Sequence, residues 1–206
     1  MTFWKEHFSL LRKFFRSDFR RLLSHCAIGM AIACLIGVVV GLRQPDVVEE
    51  ALSMFMEVVE DAGVVDKDGN FSVFALLQNN WTAMLMAVTY GFLPFIYLPL
   101  ISLLSNGFVI GIMAAWYQTE GMGLPLLLAG LIPHGIFEIP ALVLSIACGV
   151  HLCTYMTHRI TGRSQRTMAE VCEELLRVIV LAVAPLVVAA AFVECYITPV
   201  IMQFFA

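Results

Sequence analysis

Within an otherwise hydrocarbon-like run, the stretch Pro133-His134-Gly135-Ile136-Phe137-Glu138-Ile139-Pro140-Ala141 carries an imidazole and a carboxylate four residues apart. On a helix beginning near Pro133, His134 and Glu138 project from one face and can hydrogen-bond to each other or share a ligand. Proline suits the first turn of a helix, which would leave the amides from Gly135 onward free to meet a carboxylate or a bound anion. An ionisable group at membrane depth costs about 2.5 kcal/mol or more on insertion scales, so each is expected to face the bundle interior with a partner. Asn79, Asn80, Asn106 and Glu194 are the other polar side chains set inside long apolar runs. At about 1.5 Å of rise per residue, Asn80 lies roughly 13 Å and Asn106 roughly 18 Å from the outer ends of their spans. Glu138 and Glu194 fall in the same half, so one shared interior cluster of Asn79, Asn80, Asn106, His134, Glu138 and Glu194 is the economical expectation. His134, Glu138 and Glu194 are the candidate metal ligands. Zinc takes three or four nitrogen, oxygen or sulfur ligands, and His-x-x-x-Glu supplies two, so Glu194 or an asparagine oxygen would have to complete the set. The plainer reading is a set of hydrogen bonds between helices, without chemistry.

The elements that must position these groups are membrane helices. Of 206 residues, 60% are hydrophobic and 14% charged, with a mean hydropathy of +0.87, against about 25% charged in an ordinary soluble domain. Several apolar runs reach the roughly 20 residues that a hydrocarbon core demands of a helix. The fold expected is an all-α, polytopic membrane bundle of about five spans, with an N-terminal amphipathic helix and a re-entrant half-helix. Residues 1–22 form the interfacial segment and 23–206 the membrane domain. The net charge of −4 and the apolar composition argue against nucleic acid as a partner and leave membrane lipid as the certain one. The six cysteines form no CxxC pair and fall mostly in apolar runs, where a thiol acts as a small hydrophobe.

In chain order, residues 1–23 interleave Lys5, Arg12, Lys13, Arg16, Arg20 and Arg21 with seven aromatic or leucine positions, the pattern of a helix lying among headgroups. The first span covers 23–42 and contains Gly37-x-x-x-Gly41; it is read as retained rather than as a signal peptide. Residues 43–70 form an acidic outer loop, with an amphipathic helix over Ala51, Leu52, Phe55, Val58 and Val59. Its Asp66-Lys67-Asp68-Gly69-Asn70 run has its glycine too early for a calcium loop and reads as a turn. Spans follow over 71–90 and 95–116, the latter carrying Gly107-x-x-x-Gly111. Residues 124–132 are too short to cross and form the expected half-helix. The fourth span runs over 134–157 with Ala141, Ser145 and Gly149 as a packing seam, and His151 near its end reads as a satisfied interfacial histidine. Gly107, Gly111, Gly135 and Gly149 are the glycines expected at helix contacts. A basic amphipathic segment, 158–177, precedes a last span over 178–197 that bends at Pro185.

Ten of the twelve Lys and Arg fall in the two basic segments and two in the acidic loop. The positive-inside rule then places both basic segments, and the N-terminus, in the cytoplasm, and the C-terminus outside the plasma membrane. The glycine seams suggest a homo-oligomer, most simply a dimer.

The Asn79-Asn80 pair, Gly91, the run Asn106-Gly107-Phe108-Val109-Ile110-Gly111, Pro133-His134-Gly135 with Glu138-Ile139-Pro140-Ala141, Gly149, and Glu194-Cys195-Tyr196-Ile197-Thr198-Pro199 together resemble the stage II sporulation protein M family. The likeness extends from about Phe71 to Pro199. It implies a multi-pass membrane protein of about five spans. In spore formers it further implies a scaffold in septal peptidoglycan remodelling and engulfment, serving a lytic enzyme and an amidase activator. Similar proteins occur in bacteria and archaea that do not sporulate.

Three functions compete at this level. A membrane scaffold recruiting cell-wall hydrolases through its seams and acidic loop is the first, with no enzymatic activity and no cofactor. A transporter or channel using the buried polar cluster is the second, its broken element being the half-helix. An intramembrane metal-dependent enzyme built on His134 and Glu138 is the third, a metal ion being the cofactor these side chains could hold. HExxH, GxSxG and a phosphate-cradling glycine loop are all absent from the sequence.

Overall fold

The computed structural model describes residues 2–61 and 72–205. Among these every regular element is helical: α1 (Thr2–Phe15), α2 (Phe19–Arg43), α3 (Pro45–Asp61), α4 (Val73–Thr89) with a 3₁₀ turn at Tyr90–Phe92, α5 (Pro99–Thr119), α6 (Gly123–Ile160), α7 (Met168–Val178), a π-helical turn at Ile179–Val183, α8 (Ala184–Tyr196) and α9 (Thr198–Met202). Four helical stretches are long and apolar enough to cross a membrane: α2, α5, α6 and the α7 to α8 run Met168–Tyr196. A fifth apolar helix, α4, has 17 residues, at the short end of the spanning range.

The bundle is built around α6. In its most apolar stretch 67% of residues are buried, against 28% in each of the other three, and a helix that is apolar all round belongs at the centre. Every residue from Ala141 to Val150 is buried, including the Ala141, Ser145 and Gly149 seam. The half-helix expected over 124–132 does not exist as a separate element. Those residues are the first turns of α6, which runs unbroken through Pro133 and Pro140 for 38 residues. Each proline removes one backbone amide, a loss that a membrane helix tolerates when neighbouring groups compensate. Pro133 is therefore interior, and no free helix N-terminus faces His134.

The two glycine motifs read from the sequence meet each other. A Cβ at Gly37 would strike the Phe108 carbonyl and lie 3.1 Å from Gly111 Cα; one at Gly111 would strike the Cys34 carbonyl and lie 2.9 Å from Gly37 Cα. The result is the most extensive helix pair in the molecule, α2 on α5. The seams that suggested a dimer are thus filled within one chain and no longer argue for one. A second backbone contact joins α4 to α6: a Cβ at Gly91 would strike the Gly149 carbonyl, and one at Gly149 the Ala87 carbonyl. Nearby, Cys153 Sγ donates to the Leu93 carbonyl over 3.2 Å and Phe95 N to Thr157 Oγ1 over 3.0 Å. These two bonds hold the link between α4 and α5, where Phe95 and Tyr97 take positive φ of 67° and 51°.

The two basic segments pack together at one end. Arg177 pairs with Glu173, and its Nε donates to His7 Nδ1 over 3.2 Å, tying α7 to α1. A capping box starts α7: Thr167 Oγ1 accepts from Glu170 N, and the Glu170 carboxylate accepts from Thr167 N. Phe14 and Phe19 set their edges against His151. The His151 Nε2 is buried without a hydrogen-bond partner among the described residues, so it is not the satisfied histidine expected. The expected break at Pro185 takes the form of the π turn one residue before α8, which opens the helix where the proline ring would otherwise meet the preceding turn. In α3, Val48 is buried and the helix leans on α5. The 66–70 run, and the side chains of Phe55, Val58 and Val59, lie outside the described residues.

Candidate functional site

At the end of the bundle opposite α1 and α7, α4, α5, α6 and the α8 to α9 break surround a cavity of about 430 Å³. Each helix contributes one stripe at helical spacing: Leu76, Asn79 and Asn80 from α4; Asn106, Ile110 and Met113 from α5; His134, Gly135 and Glu138 from α6. All six polar residues picked out in the sequence line it.

His134, Glu138 and Glu194 form the chemical centre. One ligand atom from each lies within 4.8 Å of the other two, and His134 Nε2 stands 3.9 Å from Glu138 Oε2. The first two are placed by the i, i+4 spacing of α6. Glu194 arrives two residues before α8 ends, where the Ile197 junction turns the chain into α9. Thr198 closes that junction. Its hydroxyl donates to the Val193 carbonyl over 3.2 Å and lies 3.4 Å from His134 Nδ1. A hydroxyl has one proton, so with it directed at Val193 the oxygen offers a lone pair to Nδ1. The tautomer with its hydrogen on Nδ1 matches this contact and leaves the Nε2 lone pair facing Glu138.

The asparagines stand apart from this centre, and no hydrogen bond joins them to it among the described residues. Asn106 Nδ2 donates back to the Ser102 carbonyl of its own helix over 2.8 Å. Asn79 is exposed. Asn80 is buried, 6% exposed, and its Nδ2 has no partner among the described residues. Gly135 was expected at a helix contact, but a Cβ there would meet only Ile139 and Leu131 of its own helix, at 3.5 and 3.7 Å; it lines the cavity instead. Gly107, Gly111 and Gly149 do sit at backbone contacts.

Sequence reasoning missed Thr198, Tyr117 and Met202. Thr198 follows Glu194 by four residues and precedes a proline, which marks it as a helix-end hydroxyl on the carboxylate's side. Met202 carried no signal; it reaches the cavity because α9 folds over Gly130, whose Cβ position lies 3.3 Å from the Met202 sulfur.

A family model described as Stage II sporulation protein M matches residues 26–199. An uncharacterized protein of Methanocaldococcus jannaschii is 29% identical over 139 residues, covering 65% of this chain and 75% of that protein. No solved structure matches.

Proposed function

The chain belongs to the stage II sporulation protein M family, and from that premise we propose that it is a membrane assembly protein that gathers cell-wall hydrolases or their activators at the plasma membrane. The observation that carries this reading is that the matched stretch, 26–199, is the helical bundle itself. Partners would meet the bundle through its lipid-facing helices and the acidic segment 43–70, which includes α3. Orientation follows from charge: residues 1–23 and 158–177 hold ten of the twelve Lys and Arg and touch through Arg177 and His7, so one side of the membrane receives both, and the positive-inside rule makes it the cytoplasm. The cavity then opens towards the outer half, with the N-terminus inside and the C-terminus outside.

Capture of the full chain from native membranes, in cells that express wall hydrolases, tests the reading. Enrichment of those enzymes or their activators over an unrelated multi-pass control is expected; recovery of none refutes it. An Asp46→Cys variant should react with an impermeant maleimide in intact cells, and reaction only after permeabilisation would reverse the topology.

A second reading, a carrier or channel, is favoured by the polar groups set into a largely apolar cavity between the helices. Proteoliposomes loaded with ions, amino acids or lipid precursors test it, and absence of flux for all three classes removes it.

A further inference from the structure

We propose that His134, Glu138 and Glu194 bind a divalent transition-metal ion, with one coordination position left open to the cavity. This is independent of whether the bundle recruits partners. Three potential ligands converge here: a ring nitrogen of His134, whose Nε2 faces Glu138 and whose Nδ1 lies against Thr198, and two carboxylates, with one atom of each of the three within 4.8 Å of the others. Facing acceptors repel unless protons or a cation stand between them, and each proton joins only one pair. A divalent ion serves all three. Three atoms at mutual distances of up to 4.8 Å have a common centre about 2.8 Å from each (4.8 divided by √3). Ligand distances of about 2.0–2.2 Å therefore require each side chain to close by at most about 0.6–0.8 Å. The His134 and Glu138 side chains are 16% and 31% exposed, which leaves room for that closure.

The surroundings point to a ligand-bearing site. Metal-bound histidine characteristically donates its other ring N–H to an oxygen that fixes its orientation, and Thr198 stands in that place. One imidazole and two carboxylates suit zinc and its neighbours better than calcium, which takes six to eight oxygens. Three protein ligands leave a fourth position open, as in zinc sites that bind an exchangeable molecule. The cavity supplies its space, and the unpartnered Asn80 amide, 6% exposed and lining the same cavity from α4, supplies a donor for an oxygen-bearing occupant.

The full chain, stripped with chelator and held in lipid nanodiscs, is titrated with Co²⁺ and then Zn²⁺. One Co²⁺ per chain is expected, with visible ligand-field bands of a four- or five-coordinate ion that Zn²⁺ displaces. Glu138→Gln, Glu194→Gln and His134→Gln should each lower affinity at least about 100-fold, and Thr198→Val, which touches no ion, about 10- to 100-fold. Arg177→Ala, at the end of the bundle away from the cavity, should leave metal affinity unchanged. If a ligand variant does not fold, X-ray absorption of the natural Co²⁺ protein decides: a shell of one imidazole with oxygens is expected, and sulfur or oxygen alone overturns the site. A monodisperse, folded chain that retains no ion overturns it. So does affinity unchanged in folded ligand variants or in Thr198→Val.

Discussion

Gly111 and Gly135 are both buried glycines in transmembrane helices, and replacing each with alanine should move stability in opposite directions. Alanine is the better helix former by about 0.8–1 kcal/mol, so propensity alone stabilises both variants. At Gly135 the new methyl meets only flexible side-chain ends at 3.5 Å and beyond, and the gain of up to about 1 kcal/mol is expected to survive. At Gly111 the methyl would strike the Cys34 carbonyl and lie 2.7 Å from Val38 N and 2.9 Å from Gly37 Cα. All three are backbone, so no rotamer change relieves them. Ordinary contact begins at 3.4 Å, which requires α2 and α5 to part by at least 0.7 Å at this point. A gap of 0.5–1 Å forfeits about a quarter to a half of each dispersion contact across it. Overpacking typically costs about 1–3 kcal/mol; the rigid surroundings put Gly111→Ala near the upper end. Subtracting the propensity gain leaves a net loss of about 2 kcal/mol, and a separation of about 3 kcal/mol between the two variants. Urea unfolding in one fixed mixed micelle, followed by circular dichroism, measures it. Gly111→Ala equal to or more stable than Gly135→Ala would refute the reasoning, because it would mean the α2 and α5 backbones do not touch.

Tyr155 is buried and its hydroxyl donates to the Arg166 carbonyl over 3.2 Å; Tyr155→Phe should cost about 1 kcal/mol, read by the same titration. Arg177→Ala removes the ties to His7 and Glu173, so amides of α1 should exchange hydrogen faster by mass spectrometry while those of α6 stay protected. Unchanged exchange in α1 would mean its docking rests on Leu11 and Phe14 alone. Asn80→Leu replaces a buried, unpartnered amide with an apolar group of similar size and should be neutral or stabilising by up to about 1 kcal/mol in metal-free protein; a loss above that would place a structural hydrogen bond at Asn80.

The membrane class, the helix order and the gathering of six polar residues were legible because each rests on a local signal. Apolar run length marks the helices, i, i+4 spacing joins His134 to Glu138, and the cost of polar groups in hydrocarbon brings Asn80 and Glu194 inward, while Asn79 and Asn106 line the cavity from exposed positions. Proline in α6 misled for a physical reason. In a soluble chain Pro133 would start a helix, whereas the central helix of a membrane bundle carries it in mid-length because every neighbour offers packing and water offers no competing structure. Gly135 misled because glycine signals close approach of any group, and a cavity wall looks the same in sequence as a helix contact. Thr198 was hidden because its role depends on a junction at Ile197 that only the packing of α9 on α6 creates.

The position of the cavity follows from where the backbones touch. Gly91 and Gly149 draw α4 onto α6 at one end of the bundle, and Gly37 and Gly111 draw α2 onto α5. His134 lies fifteen residues before Gly149 on α6, about 22 Å along the helix axis. Two straight helices in backbone contact at one end must diverge over such a distance unless large side chains fill the widening gap. The facing positions instead carry Asn80, Gly135, Gly130 and two carboxylates, which are small or polar, so the gap stays open as the cavity. The α2 and α5 pair closes it laterally through Met30, Asn106 and Ile110, and α9 folds across its mouth through Met202. A substitution that parts α4 from α6 at Gly149 therefore acts on the same space as one at Glu138, from the far end of the bundle: Gly149→Ala should alter Co²⁺ affinity although no ligand is touched, and unchanged affinity in a folded Gly149→Ala chain would show that the cavity is held open locally.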